Sequence, residues 1–204
     1  MFRQAYGQKA AVGVAFCALM GFGLSAEGAE FDLNDPAWSV NKSQTALVHK
    51  NSGMHFSKTL GAFVLDKNIV HDNQGKSVSV VYLAKVKDKQ VKATISVQTE
   101  ETRSIDQLFK VSAMALGLRF GNIKPYKQAN IKLSTKRGKL KGKAAAYNVV
   151  QKDQSVQNDT RLYMFKMGRN LIKVQTSHPM GFVRGGALIH TDLLKELNWA
   201  SLKR

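Results

Sequence analysis

The stretch QVKATISVQ, residues 90–98, sets Ala93, Ile95 and Val97 against Lys92, Thr94, Ser96 and Gln98. Strict alternation of this kind buries one side of the chain only in a β-strand, where successive side chains point to opposite faces. A helix would scatter the same residues around its axis. The period-two pattern begins near Thr45 and dominates the chain. KSVSVVYLAKV, KDK and QVKATISVQ in succession predict a long hairpin, preceded by short strands at GMHFS and GAFVL. After Pro125, NIKLS, GKAAAYNVV, DTRLYMFKM and NLIKVQTS predict four more antiparallel strands, with DQSVQND and GRN as turn-like connections. Ala145, Tyr147 and Val149 would share one face of their strand, and Ile172, Val174 and Thr176 one face of theirs.

Two segments break this period. SIDQLFKVSAMALGLRF, residues 104–120, places Ile105, Leu108, Phe109, Ser112, Ala115 and Leu116 along a helical stripe. Ser104 and Gln107 have capping-box spacing, and Asp106 suits the positive end of the helix. Gly117 and Gly121 mark its end. GGALIHTDLLKELNW, residues 185–199, predicts a second helix with Leu188, Ile189, Leu193 and Leu197 as packing residues. The expected fold class is therefore α+β: an antiparallel sheet of about six strands with helices packed on it.

Charge is the second constraint. Lys and Arg total 31 against 14 Asp and Glu, a formal net charge of +17. A field of that sign favours anionic partners. It is concentrated in the span 107–152, which holds eleven basic residues and no acid. At its centre, KLSTKRGKLKGK, residues 132–143, supplies Lys132, Lys136, Arg137, Lys139, Lys141 and Lys143. These six form the candidate anion-binding ridge. Lys132 should point outward, opposite Ile131 and Leu133, and residues 136–143 should form the turn joining two strands, eased by Gly138 and Gly142. A solvated hairpin tip that discourages edge pairing is the competing explanation.

The N-terminus orders a basic start (Arg3, Lys9), the apolar AAVGVAFCALMGFGLSA and a first acid at Glu27. This is the order of a secretory signal peptide, with cuts after Ala26 or Gly28 both fitting. The division expected is a signal peptide over 1–28, an arm carrying Trp38 over 29–44, and one domain over 45–204. Cys17 is the only cysteine and lies in the signal segment. The mature chain would hold no disulfide, which fits a bacterial periplasmic or secreted protein.

Catalytic and metal signatures are weak. There is no GxSxG, and Glu100 and Glu101 would face opposite sides of a strand. His190, Asp192 and some Ser form a set found in almost any chain. His49, His55, His71, His178 and His190 lack metal-ligand spacing, although His49 and His55 could approach across the opening hairpin. GFVRGG, residues 181–186, reads as a Gly-rich start to the last helix or as an anion nest. No enzyme, cofactor or metal is expected.

The layout of the opening hairpin SGMHFSKTLGAFV, the helix 104–120, the Gly-led strand GKAAAYNVV, the paired strands DTRLYMFKM and NLIKVQTS, and a closing helix resembles the PsbP-like family over residues 50–202. The resemblance implies a non-enzymatic accessory or binding role. The opening hairpin lacks the Pro and Trp that the family pattern would place there, and no functional residue is transferred. The expected partner is an acidic protein, an anionic lipid or an envelope glycan, with peripheral membrane contact among the modes. Nucleic acid is disfavoured, because Tyr126 and Tyr147 flank the basic run but no aromatic lies within it. The alternative is a structural subunit or assembly factor of an envelope complex, with the charge incidental.

Overall fold

A computed structural model describes residues 31–136, 138–150 and 157–203. The expected signal segment and Arg137 lie outside the described residues. Strand β1 (Trp38–Val40), β2 (Ala46–His49) and β3 (His55–Ser57) form a small antiparallel sheet. Trp38, on the segment expected to be an arm, is buried and packs its ring 5.5 Å from His49 and 6.0 Å from Phe56.

The remaining strands are β4 (Thr59–Leu60), β5 (Phe63–Val70), β6 (Ser77–Val86), β7 (Lys89–Thr99), β8 (Lys127–Thr135), β9 (Gly138–Val150), β10 (Gln157–Met167) and β11 (Asn170–Pro179). They build one antiparallel sheet in the order β4-β5-β6-β7-β11-β10-β9-β8. The predicted hairpin is β6–β7, with Val80 opposite Ile95 and Tyr82 opposite Ala93.

The expected α+β class is corrected. Strands dominate the described residues, with eight strands in the main sheet rather than about six, and a separate three-stranded sheet besides. Helices are a minor component: α1 (Ile105–Arg119) and the six-residue α2 (Val183–Leu188). Two causes account for the miss. The Lys-Gly run lacks the β-branched residues that mark strands, yet its backbone pairs along β8 and β9. The predicted second helix also does not persist. After α2 it widens into a π-helical stretch over Ile189–Leu194 and ends in a 3-10 turn at Trp199–Ser201.

Alternation gives the main sheet two apolar faces. The inner face carries Val80, Tyr82, Ile95, Val97, Phe165, Ile172 and Val174. It is covered by the small sheet and by Ile189, Leu193, Leu197 and Trp199 of the C-terminal segment. Trp199 stands edge-on to Phe165 at 5.1 Å and donates its indole N–H to the Leu194 carbonyl at 2.7 Å. Such an aromatic pair adds about 0.5–1.5 kcal/mol to the burial itself.

The helix face of the sheet is covered only in part. Helix α1 seats Leu108, Phe109, Ala113 and Leu116 on Ala145, Tyr147, Val149, Leu162, Met164 and Leu171. The capping box forms as expected: the Ser104 hydroxyl accepts from the Gln107 amide, and the Gln107 side chain accepts from the Ser104 amide. Of the predicted stripe, Ala115 is exposed and Ile105 and Ser112 are half-buried, while Ala113 and Gly117 take inward positions. Gly117 faces inward without a side chain: any Cβ there would lie 2.3 Å from the Ile123 carbonyl oxygen. The bare glycine lets the returning chain pass against the helix.

Candidate anion-binding face

The basic run is strand, not turn. Thr135 pairs with Gly138, so the ladder runs to the end of the hairpin, and β9 starts at Gly138 with φ of 108°. A residue in that left-handed region is best a glycine. The expectation that residues 136–143 form the connection is corrected by this ladder.

Register then sorts the lysines. Ile131 and Leu133 of β8, and Leu140 of β9, pack toward the inner core. Their neighbours therefore point to the helix face. Lys132 stands directly opposite Lys141, Lys139 opposite Ser134, and Lys143 opposite Asn130. Lys132, Lys139 and Lys141 are exposed. Lys143 is half-buried. Its ammonium pairs with the Asp106 carboxylate of α1 and lies 6.0 Å from the centre of the Phe109 ring. Lys136 belongs elsewhere, at the rim of a 350 Å³ hollow with Ser57, Lys195 and Trp199. Four of the six predicted residues thus share one face. Lys136 sits at the tip, and Arg137 lies outside the described residues.

Sequence reasoning missed several neighbours of this surface. Lys166 projects to the same face, and its ammonium donates to the Arg103 carbonyl at 2.7 Å. On the outer side of α1, Val111, Met114 and Leu118 are 53%, 62% and 58% exposed. Their spacing of three and four residues makes a solvent-facing apolar stripe. Helical periodicity assigned the inward stripe and left these three without a role. Beyond α1 lies a 400 Å³ hollow lined by Thr94, Ser96, Ser112, Arg119, Lys173 and Gln175. Burial there lowers the Lys173 pKa, and no carboxylate pairs with this lysine among the described residues.

The aromatic residues flanking the run do not join it. Tyr147 is buried beneath α1 and donates its hydroxyl to the Ala113 carbonyl at 2.7 Å. Tyr126 borders the inner face and donates to Asp159.

The other candidates take structural positions. His49 is fully buried, its Nε2 bonded to the Gly75 carbonyl at 2.7 Å and its Nδ1 to the Ser52 hydroxyl at 2.8 Å. His71 Nε2, the Ser79 hydroxyl and the Ser96 hydroxyl form a hydrogen-bonded row. Asp72 is engaged by the amides of Gln74 and Lys76. Asp192 is held by the Thr191 hydroxyl and the Ala62 amide. Glu100 is buried and gripped by Arg103 through its side chain and amide, which pulls its pKa down to about 2. Gly185 of the GFVRGG segment packs against Phe182 and His178. No cluster of three or more metal-ligating side chains occurs among the described residues, and none of their helices is long and apolar enough to cross a membrane. No model of a known protein family matches the chain, and no curated protein matches it either.

Proposed function

We propose that this is an exported binding protein of the bacterial envelope that docks on an anionic lipid surface through its helix face. The observation that carries this reading is the pairing of two features on one face: an exposed lysine row, Lys132, Lys139 and Lys141, and the exposed apolar stripe Val111, Met114 and Leu118 of α1. Anionic headgroups attract the first, each Lys near the surface contributing about 1 kcal/mol. The second supplies side chains that can enter the boundary between headgroups and acyl chains. A lysine row serving only solubility would be interspersed with acids. Among the described residues no acid pairs with these three lysines, and Asp106 pairs with their half-buried neighbour Lys143. The lack of a stacking aromatic beside the lysines argues against single-stranded nucleic acid.

The test is co-sedimentation of residues 29–204 with vesicles of phosphatidylglycerol and phosphatidylcholine against phosphatidylcholine alone. Binding should require the anionic lipid, weaken with salt, and fall at least tenfold in a Lys132→Glu, Lys139→Glu, Lys141→Glu variant. Met114→Ser with Leu118→Ser should weaken it separately. Equal binding to both vesicle types, or no binding at low salt, would overturn the reading.

A further inference from the structure

The inner face holds a second feature, remote from the lysine row and independent of it. Along β9, residues 142, 144 and 146 point inward and are Gly, Ala and Ala. Phe165 fills the space above Gly142, where a Cβ would meet its ring at 2.6 Å. Above Ala144 and Ala146 nothing equivalent enters, and a hollow of about 310 Å³ remains. That is the lower end of the range for small-molecule sites.

Register places the walls. Arg161 of β10, Ala146 and Lys127 of β8 stand in one row across three strands. Tyr163, Ala144 and Ala129 form the next. His190, from the C-terminal segment, closes over them, its ring edge-on to Tyr163 at 6.2 Å. Tyr126 stands at the mouth.

The polar groups are held in place from outside the hollow. Asp159, buried behind Arg161, receives Nε at 3.0 Å and Nη2 at 2.6 Å on its Oδ2. Its Oδ1 accepts from the Tyr126 hydroxyl at 3.3 Å. A guanidinium has five N–H donors in a planar fork. Asp159 uses the Nε–Nη2 edge, and no second carboxylate among the described residues pairs with Arg161, whose other neighbours are the Tyr126 and Tyr163 hydroxyls. Beside it the Tyr163 hydroxyl is buried, with the Arg161 guanidinium as its neighbour in a contact short of normal hydrogen-bond geometry. Burial and the Arg161 and Lys195 charges lower the His190 pKa, which favours its neutral ring.

We propose that the alanine-floored hollow binds a small organic acid, its carboxylate gripped by the Nη1–Nη2 edge of Arg161 and the Tyr163 hydroxyl, its short apolar tail lying over Ala144, Ala146 and Ile131. A buried hydroxyl whose protein contact falls short of a full hydrogen bond gains more from a ligand's acceptor than an exposed one does.

The test titrates residues 29–204 with straight-chain carboxylates from acetate to hexanoate, and with inorganic phosphate, following Tyr163 and His190 by NMR. Saturable binding should tighten with tail length and exceed that of phosphate. Ala146→Leu fills the hollow and should abolish it. Tyr163→Phe should weaken binding about tenfold or more while the melting temperature without ligand holds or rises. The triple lysine reversal on the opposite face should leave carboxylate binding unchanged. No saturable shift with any carboxylate, phosphate binding as tightly as hexanoate, undiminished binding by Ala146→Leu, or a fall in melting temperature for Tyr163→Phe would each overturn the proposal.

Discussion

Lys132 and Lys141 face each other directly across the β8–β9 ladder, on the side of the sheet that carries α1. Like charges in directly opposed cross-strand positions repel. A hairpin selected for stability alone would place opposite charges there. The repulsion is tolerated at an exposed position, where water and salt screen it.

Replacing one partner should therefore separate stability from binding. Lys141→Glu turns a repulsive pair into an attractive one, worth about 0.2–1 kcal/mol. Its thermal midpoint should rise by about 1–3 °C, while its affinity for anionic vesicles falls. A lowered midpoint would mean that Lys141 supports the fold.

Gly117 offers a sign reversal. Gly to Ala inside a helix ordinarily stabilises by about 1 kcal/mol. Here the new Cβ would press on the Ile123 carbonyl oxygen, a backbone atom that cannot rotate away. Gly117→Ala should destabilise by about 1–3 kcal/mol in urea unfolding. A stabilised variant would show that the chain after α1 does not pass this close.

Glu100 should make the protein acid-sensitive. Arg103 holds its folded pKa at about 2, below its ordinary value of 4.5. A depressed carboxylate pKa contributes stability that is fully present above the unfolded value and lost as pH falls through the folded one. Thermal midpoints should drop from about pH 4.5 toward pH 2, and Glu100→Gln should flatten that part of the curve. An unchanged slope in the variant would assign the acid sensitivity to other groups.

His49 acts at higher pH. Burial, outweighing its bond to Gly75, lowers its pKa below 6.5. The Nε2 proton goes to the Gly75 carbonyl, and Nδ1 accepts from Ser52, which in turn accepts from the Met54 amide. The neutral ring is thus the folded form, and its stabilisation is present above about pH 6.5 and lost below it. Melting between pH 7.5 and 5.5 should show this loss, and His49→Gln should shrink it. A slope unchanged in the variant would contradict the assignment.

The elements that were legible are those in which local pattern and tertiary burial agree. Alternation at Ala93, Ile95 and Val97 met a covered face, and Ser104 with Gln107 closed its cap. The misses have physical causes. KLKGK alternates lysine with small or apolar residues, so composition pointed to a turn while pairing with β8 made it a strand. The outward stripe of α1 escaped notice because periodicity assigns only one face to the core. In KAAAY, alternation groups Ala145 with Tyr147 and Val149 and gives Ala144 and Ala146 no role. Their small size, set under Arg161 and Tyr163, leaves space instead.

The sequence by itself determined the antiparallel strands, the first helix with its cap, and the size and location of the positive charge. Those follow from side-chain period and composition, which are local. The tertiary structure decided which lysines stand together, and it set Arg161, Tyr163 and His190 around two alanines. Such groupings depend on strand register and on chain returning from tens of residues away. A shift of register by one residue would move every one of these side chains to the other face.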